Sequence, residues 1–372
     1  MDDVTILNAT IAVTTLAFTC AIYIWFVFET PQVYYAESMA GVVDLMPSLK
    51  RTLKWPIWCY GAHMQFLSYS ILSSRNDRKI ANVIYEITKL ELYDGEKTLI
   101  SWGKFNGTPK GILLLLHTVY GDYSESATIA QQAMKTLNLI PVSYSRRGHS
   151  FPLTKAEFNT VGSHEDLQRV LDAITSKYPN LPIYAIGSSA GSSLLARYLG
   201  DTGDNSRISG AVLISPGYDF EKSQMIMPYI STKMAVKKAK RVFLTPNEKI
   251  LSTYDPISFT AMLNAGSMEE WHQHQWRFAG NYKSMESYYN QHNPVYVLKH
   301  IRRPTLYVNA MDDIAFPKRL TSKFRSLPDI CPTAIVVHTR RGSHLGFYEG
   351  WGRIWSTSVT IEFLRALSNT DL

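Results

Sequence analysis

The chain has 372 residues, 45% of them hydrophobic and 12% aromatic, which excludes a disordered or fibrous protein and provides for one large α/β domain with an insertion or for two smaller domains. The net charge of +7 and pI of about 9.1 come without any nucleic-acid motif, and the one local concentration, Lys233, Lys237, Lys238, Lys240 and Arg241, suits an anionic membrane surface at least as well. Cys20, Cys59 and Cys331 are too few and too far apart for a disulfide framework or a zinc site, so a reducing setting with no metal or cofactor is expected.

From Ile6 to Phe28 no residue is charged, and Ile, Val, Ala and Phe predominate. About 23 helical residues at ~1.5 Å each reach ~34 Å, so this stretch is expected to be a single-pass membrane anchor. The start, Met1-Asp2-Asp3, is acidic where a cleaved leader is basic. No Lys or Arg precedes the span, and Lys50 and Arg51 follow at the limit of the positive-inside rule, which leans the body toward the cytosol. Pro31 to about Arg78 carries aromatics and turn signals without a clean period.

From Glu86 the pattern changes. Ile87 to Tyr93 and Lys97 to Trp102 flank Asp94-Gly95, a hairpin signal. Apolar runs at Ile112 to Leu116, Leu139 to Tyr144, Ile183 to Ile186, Ala211 to Ile214, Leu306 to Val308 and Ala334 to Val337 read as buried parallel strands. Helical patterns separate them; Leu167, Val170, Leu171 and Ile174 recur at helical spacing behind Ser163 and Asp166, which read as a capping box. This alternation predicts a doubly wound, mostly parallel sheet. Between Pro216 and Ile301 it stops, and helical, Met-rich and aromatic sequence suggests a cap over the site. The expected organisation is an anchor over 1–30, a lead-in over 31–80, a core made of 81–215 and 302–372, and a cap insertion over 216–301.

Gly187-Ser188-Ser189-Ala190-Gly191 lies where the Ile183 to Ile186 strand gives way to a helical pattern. That is the setting of a nucleophile elbow, in which Ser189 occupies a strained turn and Gly187 and Gly191 spare it a collision. A serine hydroxyl needs a base, and the base an acid to orient it. In such a sheet they follow in the order Ser, Asp or Glu, His, each past a late strand. Asp312-Asp313 follows one such strand and His344 the next, so Ser189, Asp313 and His344 are the expected triad, with Asp312 a turn residue and alternative acid and Asp219 a more distant one. The oxyanion hole is expected from the backbone N–H groups of Ala190 and Val119. His117 to Asp122 also reads as His-x4-Asp, found in some acyltransferases, but this loop is already assigned to the oxyanion hole. His272 and His274, beside Trp271 and Trp276, lack a third ligand and read as cap surface.

These residues resemble the α/β-hydrolase superfamily, and within it the membrane-anchored AB hydrolase-4 family of lipases and alcohol O-acyltransferases. The resemblance runs from about Trp55 to the C-terminus, most specifically in Tyr93-Asp94-Gly95, Arg146-Arg147-Gly148, the elbow, Ser287-Tyr288-Tyr289, Asn309 to Asp313 and Gly342 to Phe347. It implies an α/β-hydrolase fold with a helical cap, the same triad, and a single N-terminal anchor in the endoplasmic reticulum or another internal membrane. The chain departs from the family pattern at Thr118, Ser192 and Ser343, where glycine is usual; a β-branched Thr118 is expected to reshape the oxyanion loop. The expected activity is cleavage of the carboxylic ester bonds of lipids (monoacylglycerol, phospholipid or fatty-acid ester), with an alcohol O-acyltransferase as the alternative and a non-catalytic binding or scaffold protein as a third.

Overall fold

A computed structural model describes residues 3–73, 83–122, 124–222 and 229–369. Among the described residues nine strands form one sheet: β1 Gln32–Tyr35, β2 Tyr85–Glu91, β3 Lys97–Gly103, β4 Gly111–Leu116, β5 Leu139–Tyr144, β6 Ile183–Ser188, β7 Ile208–Ile214, β8 Thr305–Ala310 and β9 Ala334–Thr339. Their spatial order is β1-β9-β8-β7-β6-β4-β5-β3-β2. From β5 to β9 every neighbouring pair is parallel. β3 runs antiparallel to both β2 and β5, and β1 lies antiparallel on β9. The Asp94-Gly95 hairpin is therefore the β2–β3 connection; β5 matches its apolar run, and the other central strands extend one to three residues beyond theirs.

The sheet buries both faces, which is why β4, β5, β6, β8 and β9 read as continuous apolar runs. Alternate side chains go to opposite layers. On one face Leu113 and Leu115 pack with Ile129 and Ala133 of α3 (Ala127–Leu137) and with Val359 and Phe363 of α11 (Trp355–Asn369). On the other Ile112, Leu114 and Leu116 meet Leu167, Val170, Leu171 and Ile174 of α4 (His164–Lys177), together with Leu195 and Leu199 of α5 (Ala190–Thr202). The capping box at the start of α4 is only half formed. Ser163 Oγ accepts the Asp166 N–H, but the Asp166 carboxylate turns to Arg147 instead, because an ion pair is worth more there than a second cap.

The lead-in had no readable period because it is built from short pieces that belong to other elements. Met46, Leu49, Leu53 and Trp55 enter the core beside α11, and Ser48 binds Glu362 through its N–H at 2.9 Å and its hydroxyl at 2.7 Å. Lead-in residues 74–80 lie outside the described residues. N-terminal to it, α1 (Asp3–Val27) leaves Ile11, Val13, Leu16 and Phe18 exposed. Among the described residues no helix is long and apolar enough to cross a membrane, so the single-pass anchor expected over Ile6 to Phe28 is not supported.

After β7 the chain becomes helical: α6 (Tyr229–Ala239), α7 (Thr245–Tyr254), α8 (Pro256–Asn264), α9 (Met268–Gln275) and α10 (Met285–His292) precede β8. Val236, Phe243, Leu251, Met262, Met268, Trp271 and Phe278 form a separate apolar cluster. Phe158 joins it from the loop after β5, and Val119 and Tyr120 pack against it from the loop after β4.

Candidate active site

β6 ends at Ser188 and α5 begins at Ala190, so Ser189 alone makes the turn. Its backbone sits at φ 51°, ψ −114°, a conformation that costs a residue with a β-carbon about 1–3 kcal/mol. The turn is held by the Ser189 N–H donating to the Ile214 carbonyl on β7 at 2.9 Å, and by the Ser192 and Ser193 N–H groups donating to the Ser189 carbonyl. The flanking glycines are there for close approach. A β-carbon on Gly187 would lie 2.5 Å from the Ser192 backbone nitrogen; one on Gly191 would lie 2.7 Å from the Leu116 carbonyl carbon and 2.8 Å from the His117 oxygen.

Two loops bring the other groups to this turn. Asp313 follows β8, and its Oδ1 accepts the N–H groups of Ala315 at 2.7 Å and Phe316 at 3.1 Å, which fixes the carboxylate's direction. His344 follows β9 in a loop with three L-residues at positive φ, Ser343, Leu345 and Phe347. His344 Nδ1 lies 2.9 Å from Asp313 Oδ2, and His344 Nε2 lies 2.8 Å from Ser189 Oγ. A carboxylate only accepts, so the proton sits on Nδ1 and Nε2 is free to accept the serine proton. Ser189 and His344 are 9% and 5% exposed, which shields the hydrogen-bonded chain from water. The ring of Phe316 meets the imidazole edge-on at 5.4 Å.

Of the two aspartates, Asp313 faces the histidine. Asp312 has a different partner: its Oδ1 accepts the Ser343 N–H at 2.7 Å and so braces the strained loop that carries His344. Burial pushes the Asp312 carboxyl up to about 6, against the opposing Ser343 hydrogen bond and the nearby Arg341 charge. Asp219, the distant alternative, is engaged by Asn293 Nδ2 at 3.0 Å. His117 and Asp122 have separate partners: the imidazole lies against the Arg146 N–H and the Thr118 carbonyl, and Asp122 accepts the Ser124 N–H.

Ala190 opens α5, so its N–H is one of the first-turn groups that the helix itself leaves without a partner, at the positive end of the helix dipole. Opposite lies the His117 to Gly121 loop. Here the Thr118 N–H is committed to Glu125 Oε2 at 2.5 Å, which leaves Val119 as the next N–H along the loop. The roles of Glu125 and Arg146 were not legible: Arg146 stood out only within the Arg146-Arg147-Gly148 resemblance, and Glu125 looks like an ordinary helix-start acid. The Arg146 guanidinium binds the carbonyls of His117, Thr118 and Thr160, and burial pushes it down to about 10. Among the described residues no group of His, Cys, Asp and Glu is arranged to hold a metal ion.

Comparison with known proteins agrees with this architecture. Residues 136–350 match the family described as alpha/beta hydrolase fold. The chain is 25% identical over 372 residues to the Mus musculus protein named Phospholipase ABHD3, covering 93% of this chain and 84% of that one. It is 23% identical over 333 residues to Homo sapiens Protein ABHD15, covering 84% and 68%. It is also 22% identical over 234 residues to Mus musculus Monoacylglycerol lipase ABHD2, covering 58% and 55%. In fold it resembles a protein of unknown function from Staphylococcus aureus, with a TM-score of 0.52 at 16% identity, covering 76% of this chain and 99% of that one. On the sheet order, the strand-turn-helix at Ser189 and the family match over more than half its length, this chain belongs to the α/β-hydrolase superfamily.

Proposed function

We propose that the protein is a serine hydrolase that cleaves carboxylic esters of lipids through an acyl-enzyme on Ser189. The observation that carries this reading is the continuous hydrogen-bonded chain from Ser189 Oγ through His344 to Asp313. His344 takes the serine proton as Oγ attacks the ester carbonyl, then gives it to the leaving alcohol, while Asp313 holds the imidazole in its tautomer and stabilises the imidazolium. The N–H groups of Ala190 and Val119 receive the oxyanion. Water, activated by the same histidine, then releases the acyl group.

The lipid character rests on two supports. Relatives bear the names phospholipase and monoacylglycerol lipase, and the loop that carries Val119 packs against an apolar cluster of the helical segment. In this reading 216–301 is a cap and 81–215 with 302–372 the hydrolase core. Helix α1, with no charged residue between Asp3 and Glu29 and with Ile11, Val13, Leu16 and Phe18 exposed, attaches this body to an internal membrane. Cell fractionation of the full chain and of a variant lacking residues 3–27 reads that attachment: equal recovery in the soluble fraction would reject it.

The central test is hydrolysis of p-nitrophenyl esters and glycerol esters of short and long acyl chains by wild type and Ser189→Ala. Loss of the nucleophile is expected to lower kcat by several orders of magnitude; equal activity would overturn the proposal. Ethanol or glycerol added to the same assay reads the acceptor, and a new ester as main product would replace hydrolysis with alcohol acyl transfer.

A further inference from the structure

The loop that follows β4 is held by two side chains of opposite charge. Glu125, just ahead of α3, accepts twice from a single residue: the Thr118 N–H at 2.5 Å through Oε2 and the Thr118 hydroxyl at 2.9 Å through Oε1. The Tyr69 hydroxyl adds a third bond to Oε1 at 3.3 Å. From the other side Arg146 Nη2 donates to the His117 carbonyl and, at 3.0 Å, to the Thr118 carbonyl, which also accepts the Gly121 N–H at 3.1 Å.

A trans peptide is planar, with its C=O and N–H on opposite edges. The His117–Thr118 peptide is therefore gripped at both edges, its oxygen by Arg146 and its N–H by Glu125. In the next peptide the Thr118 oxygen is turned toward Arg146 and Gly121, so the Val119 N–H must point the opposite way. Bonding the Thr118 hydroxyl fixes χ1 as well, which turns the β-branched residue from an obstacle into a handle. Gly121 completes the fit, since a β-carbon there would collide with the Glu125 carboxylate, 2.8 Å from its carbon.

We infer that Glu125 is the positioning residue of the oxyanion hole: by holding Thr118 it sets the direction of the Val119 N–H toward the acyl-enzyme site. This rests on the serine-hydrolase reading above. Burial pushes the Glu125 carboxyl upward, while the two Thr118 bonds and the charges of Lys238 and Arg146 pull the other way and favour the ionised acceptor. Glu125 touches no reacting atom in this scheme, and its effect passes entirely through Thr118.

The test is steady-state ester hydrolysis by the full chain and by Glu125→Ala, Glu125→Gln, Thr118→Val and the double variant Glu125→Ala/Thr118→Val, with folding checked by thermal unfolding. Misaiming one oxyanion donor is expected to lower kcat roughly 10–100-fold while KM changes less than about threefold. Glu125→Gln, which keeps an acceptor oxygen and the side-chain shape, should recover part of the loss and serves if Glu125→Ala does not fold. Because Glu125 acts through Thr118, the double variant should be no slower than Glu125→Ala. Wild-type kcat in a folded Glu125→Ala, losses that multiply, or a loss confined to KM would overturn the inference. Fluorophosphonate labelling of the wild type at Ser189 separates the two failures: absent labelling removes the nucleophile, whereas labelling with an unimpaired Glu125→Ala removes only the role of Glu125.

Discussion

Replacing Gly191 with alanine adds one methyl group where α5 crosses the end of β4. The Leu116 carbonyl carbon would stand 2.7 Å from that methyl and the His117 oxygen 2.8 Å, against an ordinary contact distance that begins near 3.4 Å. The Leu116 carbonyl oxygen would be closer still. All three are backbone atoms, so no side chain can swing aside, and the helix and strand must part by roughly 1 Å. Overpacking of this kind costs about 1–3 kcal/mol of stability. The same displacement separates the Ala190 N–H on the helix from the Val119 N–H on the loop, the two proposed oxyanion donors. A misplacement near 1 Å costs about 10²-fold in rate, so kcat should fall about 10–100-fold with little change in KM. Urea unfolding followed by circular dichroism measures the first effect, and p-nitrophenyl ester hydrolysis the second. Gly41 is the control: a β-carbon there meets nothing within 4 Å, it lies in the short helix Ala40–Asp44, and Gly41→Ala should be neutral or stabilising by up to about 1 kcal/mol. Gly191→Ala with wild-type kcat and a stability within about 0.5 kcal/mol of wild type would refute the packing argument.

The two neighbouring aspartates should separate cleanly by kinetics. Asp313→Asn leaves the geometry but disturbs the histidine tautomer and should lower kcat by about 10⁴, whereas Asp312→Asn, which touches only the Ser343 N–H, should lose far less; equal losses in ester hydrolysis would contradict the assignment. Asp312 also predicts a pH effect. Its folded-state value of about 6 lies above the ordinary 3.8, so the folded protein holds the proton more tightly, and its ionisation destabilises the fold as pH rises from about 4 to 6. Asp312→Asn should therefore gain about 1–3 kcal/mol on wild type between pH 4 and pH 7 in urea unfolding; a pH-independent difference would refute this. Arg147 links the β2–β3 hairpin to α4 through Asp94 at 2.6 Å and Asp166 at 2.7 Å, and Asp166 is buried. Arg147→Ala strands that carboxylate and should cost about 3–5 kcal/mol by the same measurement, with a loss under 1 kcal/mol counting against the ion-pair account.

What could be read from the chain alone was whatever depends on neighbours in sequence. Strands buried on both faces must be apolar along their whole length, so β4 to β9 stood out, and Asp94-Gly95 marked the hairpin. The steric demand at Gly187 is also local, since it answers Ser192 within one turn of helix, whereas Gly191 answers Leu116 and His117, which only the fold brings beside it. Order along the chain then pointed to Asp313 and His344, because the strand ends of a doubly wound sheet gather at one edge. The placing of β1 on the outer edge of β9 was not legible, because four residues, Gln32–Tyr35, carry too little pattern to name a partner about 300 positions away. Chain order favoured Asp313 and kept Asp312 as the alternative, but which carboxylate faces Ser343 and which faces His344 is visible only in the fold. The grip of Glu125 and Arg146 on Thr118 was likewise decided only in three dimensions. A departure from glycine looks like a defect in sequence, and its compensating partners are visible only once the loop after β4, the start of α3 and the end of β5 meet.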